Sequence, residues 1–339
     1  MTAQILAQPA FTPDGSLRIV RVTAAVLCLF GGAVLIWAFF QYAVVFPGPA
    51  VLAILLELPL LVGGFLLARV LRPIRNPPML WSAAATVWGG SAAIGCALLA
   101  NQGLISLWAK TAGVGFASNW SNSLSAPLNE EVLKLCGVVM IVLAAPGLIR
   151  GPLDGMVFGA LAGLGFQVVE NVTYGLDNIV QSGATDPVGA VTNSYLIRLS
   201  TAVGSHWAMT AVAGAGIGYL VLYGRTRAGV VRAVACLAIA MGMHLLFDAP
   251  HPIIGIKVTV NLVIVAGLYL FLKEEYLTRA RAVVEQSAGT GLVTEDEAAR
   301  ILSRTGRQRA LRQARVTGDR DTVQARQQDL LHSVEAEAA

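Results

Sequence analysis

Long apolar runs at 22–45, 50–68 and 258–272 constrain this 339-residue chain more than any other feature, and Glu57 is the one charge within them. At 1.5 Å of rise per residue, roughly 20 apolar residues carry a helix across the hydrocarbon core of a bilayer. Such runs recur along the chain, so neither a signal peptide nor a single anchor accounts for them. The start of the chain also lacks a short apolar region followed by a small-residue cleavage site. Only 13% of residues are charged, against roughly 25% in soluble domains. The fold class expected is all-α: a polytopic transmembrane helix bundle with membrane lipid as its constant partner.

Hydropathy and proline positions place about eight spans, near 19–46, 50–70, 80–109, 127–149, 153–175, 193–224, 230–250 and 254–273. Pro47, Pro77, Pro127, Pro152, Pro187 and Pro252 stand at or beside proposed ends, where proline is tolerated. Pro146 is expected to stop or bend the fourth span early. Positive charges alternate between loops. Arg18 and Arg21 precede span one, while Arg69, Arg72 and Arg75 follow span two. Arg150 separates spans four and five, Arg225 to Arg232 separate six and seven, and Lys273, Arg279 and Arg281 follow span eight. The other loops offer little beyond Lys110 and Lys257. By the positive-inside rule both termini are cytoplasmic. Short loops and the absence of targeting features point to a multi-pass protein of a bacterial inner membrane.

The expected division is a bundle over 1–274, with its polar core at 125–250, and a cytoplasmic tail over 275–339. In the tail, Thr294-Glu295-Asp296-Glu297 reads as a capping box. It opens a helical hairpin or a solvated, partly disordered appendage. The net charge of +4 comes with no nucleic-acid motif, so nucleic acid is not an expected partner. Cys28, Cys96, Cys136 and Cys236 all lie in apolar runs; they match no zinc or redox spacing and read as packing thiols.

Charged groups inside a bilayer cost about 2.5–3.5 kcal/mol each on insertion scales and mark functional sites. Those of this chain agree in depth. Glu130, Glu131 and Lys134 fall in the outer turns of span four, Glu170 near the outer end of span five, His206 in the outer part of span six, and His244 with Asp248 at the end of span seven. All lie roughly 5–17 Å below the outer surface at the helical rise. Glu130 and Lys134 are spaced to share one helix face, as are His244 and Asp248. The helix dipole is expected to favour the two glutamates in their first turns. Gly155, Gly159 and Gly163 let another helix approach closely. Asp154 and Arg198 sit near span ends with access to water, and Glu57 beside Pro59 has no evident partner. Asn171-Val172-Thr173 matches a glycosylation acceptor, yet lies within a span and is discounted.

Two chemistries fit. In one, Glu170, His206 and His244 bind a divalent metal, zinc being the best match to imidazole and carboxylate donors, while Glu130 or Glu131 serves as general base. In the other no metal is present. A glutamate activates water directly, and His244 with Asp248 stabilises the oxyanion. Both give an intramembrane hydrolase. A proton- or ion-coupled transporter could use the same groups as a relay, but no internal repeat supports it. A non-catalytic membrane scaffold is the third possibility.

The motifs Glu130-Glu131-x-x-Lys134, Gly163-x-Gly165-Phe166-x-x-x-Glu170-Asn171-x-x-Tyr174, His206 and His244-x-x-x-Asp248 together resemble the PrsW family of intramembrane proteases. These are relatives of the CAAX prenyl endopeptidases and the bacteriocin-processing membrane proteins. The resemblance implies cleavage of membrane-anchored proteins at or near the extracytoplasmic face, where one member clips an anti-sigma factor. It implies a catalytic carboxylate from Glu130 or Glu131, with Glu170, His206 and His244 as ligands or water-positioning groups. Asp248 stands where many relatives carry Asn.

Overall fold

The computed structural model describes residues 14–251 and 253–337. Pro252 and the N-terminal stretch read for a signal sequence lie outside them. The described residues are helical, with no strand among them. In order they form α1 (Asp14–Val45), α2 (Pro47–Val70), α3 (Met79–Trp88), a π-helical turn (Gly89–Ala93), α4 (Ile94–Thr111), α5 (Val114–Ala144), α6 (Pro152–Gln181) and α7 (Pro187–Thr201). A 3-10 turn (Ala202–Gly204) leads into α8 (His206–Tyr223), α9 (Arg227–Asp248) and α10 (Ile254–Gly289). The short α11 (Glu295–Ile301), α12 (Arg304–Thr317) and α13 (Arg320–Glu337) complete the chain.

Among the described residues six helical segments are long and apolar enough to cross a membrane: Leu17–Val45, Pro47–Val70, Met79–Thr111, Pro152–Gln181, Arg227–Asp248 and Ile254–Gly289. They differ in what surrounds them. The apolar window of α6 is 94% buried inside the protein, against 11% for α1 and for α2. Thus α6 is the axis of the bundle. Leu29, Ile36 and Trp37 of α1 lie exposed on its outside, an apolar belt suited to lipid.

Close helix approach creates this axis. A Cβ on Gly155, Gly159 or Gly163 of α6 would collide with the backbone of α8 at Gly214, Thr210 and His206 respectively. On a second side of α6, Gly165 packs on Thr86, and Gly89 packs on Ala162. Glycine is required because only a missing side chain lets the backbones approach this far. The result fixes the start of α8 against the middle of α6, at Gly163.

Of the helices whose limits differ from expectation, two bear on the polar groups. The stretch 193–224 is not one span. It breaks at Ala202–Gly204, and His206 is the first residue of α8. A broken helix within a membrane must find other partners for its backbone. Here Trp207 donates its indole N–H to Ala202 O at 2.8 Å, and Asn261 of α10 donates to Gly204 O at 2.8 Å. The helix carrying Glu130 starts at Val114, well before 127, after Gly113 turns the chain at φ 90°. Its end at Ala144 is followed by Pro146, as the sequence suggests.

Beyond the bundle α10 continues to Gly289, and α11 to α13 fold back onto the end of the bundle formed by the α2–α3 and α5–α6 loops. Glu335 is buried between Arg72, Arg75 and Arg150, its oxygens 3.5 Å from Arg72 and Arg150 and in contact with Arg75. Leu330, Leu331 and Val334 join the core formed by α6, α8 and α10. Asp154 is not open to water, because its carboxylate pairs with Arg72 at 2.7 Å and both are buried. This arginine-lined end and the polar groups of α5, α6, α8 and α9 occupy opposite ends. Glu130 to Ala144, Asp154 to Glu170, His206 to Tyr223 and Arg227 to His244 each span about 21–26 Å at the helical rise.

Candidate active site

Glu130, Glu131 and Lys134 lie in the middle of α5 rather than in its first turns, so the helix dipole does not stabilise the two carboxylates. Neighbouring cations and donors do so instead. All three residues are buried. Lys134 Nζ is 2.6 Å from Glu131 Oε1 and 3.7 Å from Glu130 Oε2. The ammonium also lies 4.3 Å over the ring of Phe166, a favourable cation–π geometry.

The two glutamates differ in how far their needs are met. Glu131 is saturated: Oε1 faces His244 Nδ1 at 3.0 Å, and Oε2 accepts from Thr210 at 2.9 Å. Glu130 accepts from Asn101 Nδ2 at 2.9 Å through Oε1 alone. Its Oε2 is buried with no hydrogen-bond partner among the described residues, and the same holds for His244 Nε2. These two atoms are 3.7 Å apart, and His206 Nδ1 is 3.8 Å from the same oxygen. The imidazole centroids are 4.9 Å apart and cross edge to face.

Each imidazole presents its other nitrogen to a carboxylate. His244 Nδ1 faces Glu131, and His206 Nε2 faces Glu170 Oε2 at 2.8 Å. Metal-binding histidines are typically oriented by such carboxylates. Among the described residues Glu130, His206 and His244 offer three ligand atoms that all lie within 4.8 Å of one another. The donor set, two imidazoles and a carboxylate, is that of many catalytic zinc sites. With two unpartnered buried atoms facing each other, the residues fit a divalent cation.

The expected ligand Glu170 has different company. It forms an ion pair with Arg198 as well as the contact to His206. Arg198 does not simply reach for water: it stacks 4.3 Å over Tyr174 and donates through Nε to Asn171 Oδ1 at 2.7 Å. Asn171 in turn donates to Glu57 Oε2 at 3.0 Å. Glu57 therefore has a partner, and a chain of polar contacts runs from α2 to His206. Asp248 Oδ2 stands 3.4 Å from His244 Nε2. Together with Glu130, Glu170, Tyr174 and Asn101, Asp248 lines a cavity of about 280 Å³.

Asn101 and Thr210 were not among the sequence candidates for the site, while Arg198 and Asn171 were noticed in the sequence but given no role in it. Lone polar residues in apolar helices were the available signal, without any indication of their partners. Lys257 is a further case. It is buried and donates to the carbonyls of Phe247 and Ala249, holding the end of α9 that carries His244 and Asp248.

No curated protein and no solved structure matches the chain. The model of the PrsW family of intramembrane metalloproteases matches residues 77–272, which include each residue of the polar cluster except Glu57. An enclosed set of carboxylates and imidazoles within an apolar helical bundle is the setting that intramembrane hydrolysis requires, and with the family match over more than half its length the chain belongs to the PrsW family of intramembrane proteases.

Proposed function

We propose that the chain hydrolyses a peptide bond of membrane-anchored proteins near the extracytoplasmic face, with Glu130 as the carboxylate that acts on water. The carrying observation is the state of Glu130 Oε2, which is buried, without a hydrogen-bond partner among the described residues, and 3.7–3.8 Å from one nitrogen of each imidazole and from the Lys134 ammonium. Glu131 has no such vacancy and acts as the positioning group for His244 and Lys134.

In the reaction, Glu130 Oε2 takes a proton from water as the water oxygen attacks the scissile carbonyl carbon. The proton then passes to the departing amine as the C–N bond breaks. Glu170 and Glu131 hold the imidazoles in one orientation through His206 Nε2 and His244 Nδ1. His244 Nε2, steadied by Asp248, stabilises the developing oxyanion. Glu130, His206 and His244 would hold a divalent cation, with zinc favoured by the donors. Such a cation supplies Lewis-acid polarisation and a more acidic water. With Glu130 engaged as its ligand, Asp248 is the cavity carboxylate left to take the proton.

One observation favours the metal-free form of the same reaction. Lys134 Nζ lies 3.0 Å from His206 Nδ1, so the ammonium can meet the charge requirement that a cation would otherwise meet. Purified protein in proteoliposomes, given tethered peptides, separates the two. Loss of cleavage on chelation and its return with zinc supports the metal. Indifference to chelation supports Lys134, and no cleavage of any tethered peptide under either condition overturns the proposal.

The proposed topology has eight spans, adding α5 and α8 to the six apolar segments, with both termini in the cytoplasm of a bacterial cell. Arg72, Arg75 and Arg150 gather with the tail at one end, as the positive-inside rule asks of cytoplasmic loops. The reactive groups then lie toward the outside. The bundle over 1–274, with its core at 125–250, is the catalytic unit, and 275–339 is a cytoplasmic tail. A membrane-anchored anti-sigma factor is a substrate of the required kind.

A further inference from the structure

The cavity at Glu130 does not end at the reactive groups. A neighbouring cavity of about 270 Å³ lies between α1, α4 and α6. The two share Leu98, Gln102, Thr173 and Asp177 as lining. Together they form a groove that begins at Trp37, Phe39 and Tyr42 of α1 and ends at Glu130 and Asp248. Trp37 is 70% exposed on the lipid side, so a membrane-anchored segment can enter between α1 and α4 without crossing the bundle.

Its lining is unusual for a membrane interior. Glu130, Glu170, Asp177 and Asp248 contribute carboxylates, and no Lys or Arg lines either cavity among the described residues. Three of the four are already engaged with cations or imidazoles: Glu130 faces Lys134 and the histidines, Glu170 faces Arg198, and Asp248 faces His244. Asp177 differs. Tyr42 donates to its Oδ1 at 2.6 Å, fixing the carboxylate at the junction of the two cavities. Among the described residues it has no cationic partner. Glu130, whose buried Oε2 makes no hydrogen bond among the described residues, lines the far end of the same space.

Resting on the hydrolase reading, we propose that this groove binds an extended substrate segment and that Asp177 pairs with a Lys or Arg side chain of that segment. The Gln102 amide, at the junction of the two cavities, offers a side-chain partner to backbone groups that a peptide leaves unsatisfied when it unwinds within a membrane. The trio Trp37, Phe39 and Tyr42 receives apolar side chains further out. Glu170 and Asp177 are seven residues apart on α6, about 10.5 Å at the helical rise. An extended peptide covers that distance in about three residues. Glu170 holds His206 beside Glu130, so the preferred cation stands a few residues from the scissile bond.

The test uses tethered peptides carrying Lys, norleucine or Glu at each of four positions on both sides of the scissile bond, with the protein in proteoliposomes. The Lys peptide should exceed its norleucine counterpart in kcat/KM by about five- to tenfold at one of these positions, the scale of a partly buried charge pair. In Asp177→Asn the ratio of Lys to norleucine should fall close to one, and Asp177→Lys should favour Glu. Equal rates for all three residues at every position, or a Lys preference that Asp177→Asn leaves intact, would overturn the groove assignment. If wild-type protein cleaves none of the peptides, the hydrolase reading fails first. Photocrosslinking to Glu130→Gln then decides the groove alone: labelling of α1 and α6 that is stronger for Lys than for Glu peptides supports it, and equal labelling contradicts it.

Discussion

Lys134 is the group whose removal the geometry penalises most. Its ammonium is fully buried, 2.6 Å from Glu131, 3.0 Å from His206 and 3.7 Å from Glu130. In Lys134→Met the stem volume is nearly kept, so the loss is one of charge. Two buried carboxylates lose their nearest ammonium, and breaking one buried pair in this way costs about 3–5 kcal/mol. Lys134→Met should therefore lower the midpoint of unfolding in detergent or bicelles by a corresponding amount. Adding Glu131→Gln should recover a large part of that loss, since it removes the stranded carboxylate. A double-mutant cycle measures the coupling directly. A single-variant effect within about 0.5 kcal/mol, the range of ordinary surface changes, would refute the buried ion-pair reading. So would strictly additive effects of the two substitutions.

Three further outcomes follow from particular contacts. Gly159→Leu, which forces a side chain into the Thr210 carbonyl of α8, should abolish folding or activity, whereas Gly63→Leu, which meets open space, should do neither; the amount of folded protein after purification reads both. Asn171→Leu cuts the contacts from Glu57 to Arg198 and should cost about 1–3 kcal/mol for the buried groups left unsatisfied, with Asn171→Gln recovering part of it. In the tail, burial acts to raise the Glu297 pKa, but hydrogen bonds from Thr294 and pairing with Arg326 outweigh it and hold the carboxyl below its ordinary value. A depressed pKa stabilises the tail above the ordinary glutamate range and loses that contribution as pH falls through the lowered value. Protection factors in α11, taken relative to the intrinsic exchange rate at each pH, should fall in acid, and Glu297→Gln should remove this dependence.

The membrane character of the bundle and the glycine face of its central helix were legible because each rests on residues along one helix. Apolar length marks α1, α2 and α10, and glycine spacing marks the face of α6. What the sequence could not resolve depends on contacts between helices. Glu130 and Glu170 look alike in sequence, yet only the first faces one nitrogen of each histidine, because the α6–α8 contact turns Glu170 toward His206 Nε2 and Arg198. The break at Ala202–Gly204 has no charge or proline to announce it; its backbone is satisfied by Trp207 and by Asn261 from a distant helix. The partner of Glu57 is equally remote in sequence.

The most direct test of the account is a comparison of Glu130→Gln with Glu131→Gln for cleavage and thermal stability in the same membrane preparation. Glu130→Gln should retain nearly the wild-type melting temperature while cleavage falls by about 10²–10⁴-fold, the usual share of a general base. Glu131→Gln should lose stability as well as activity. Wild-type turnover by Glu130→Gln would contradict the assignment of the water-activating group.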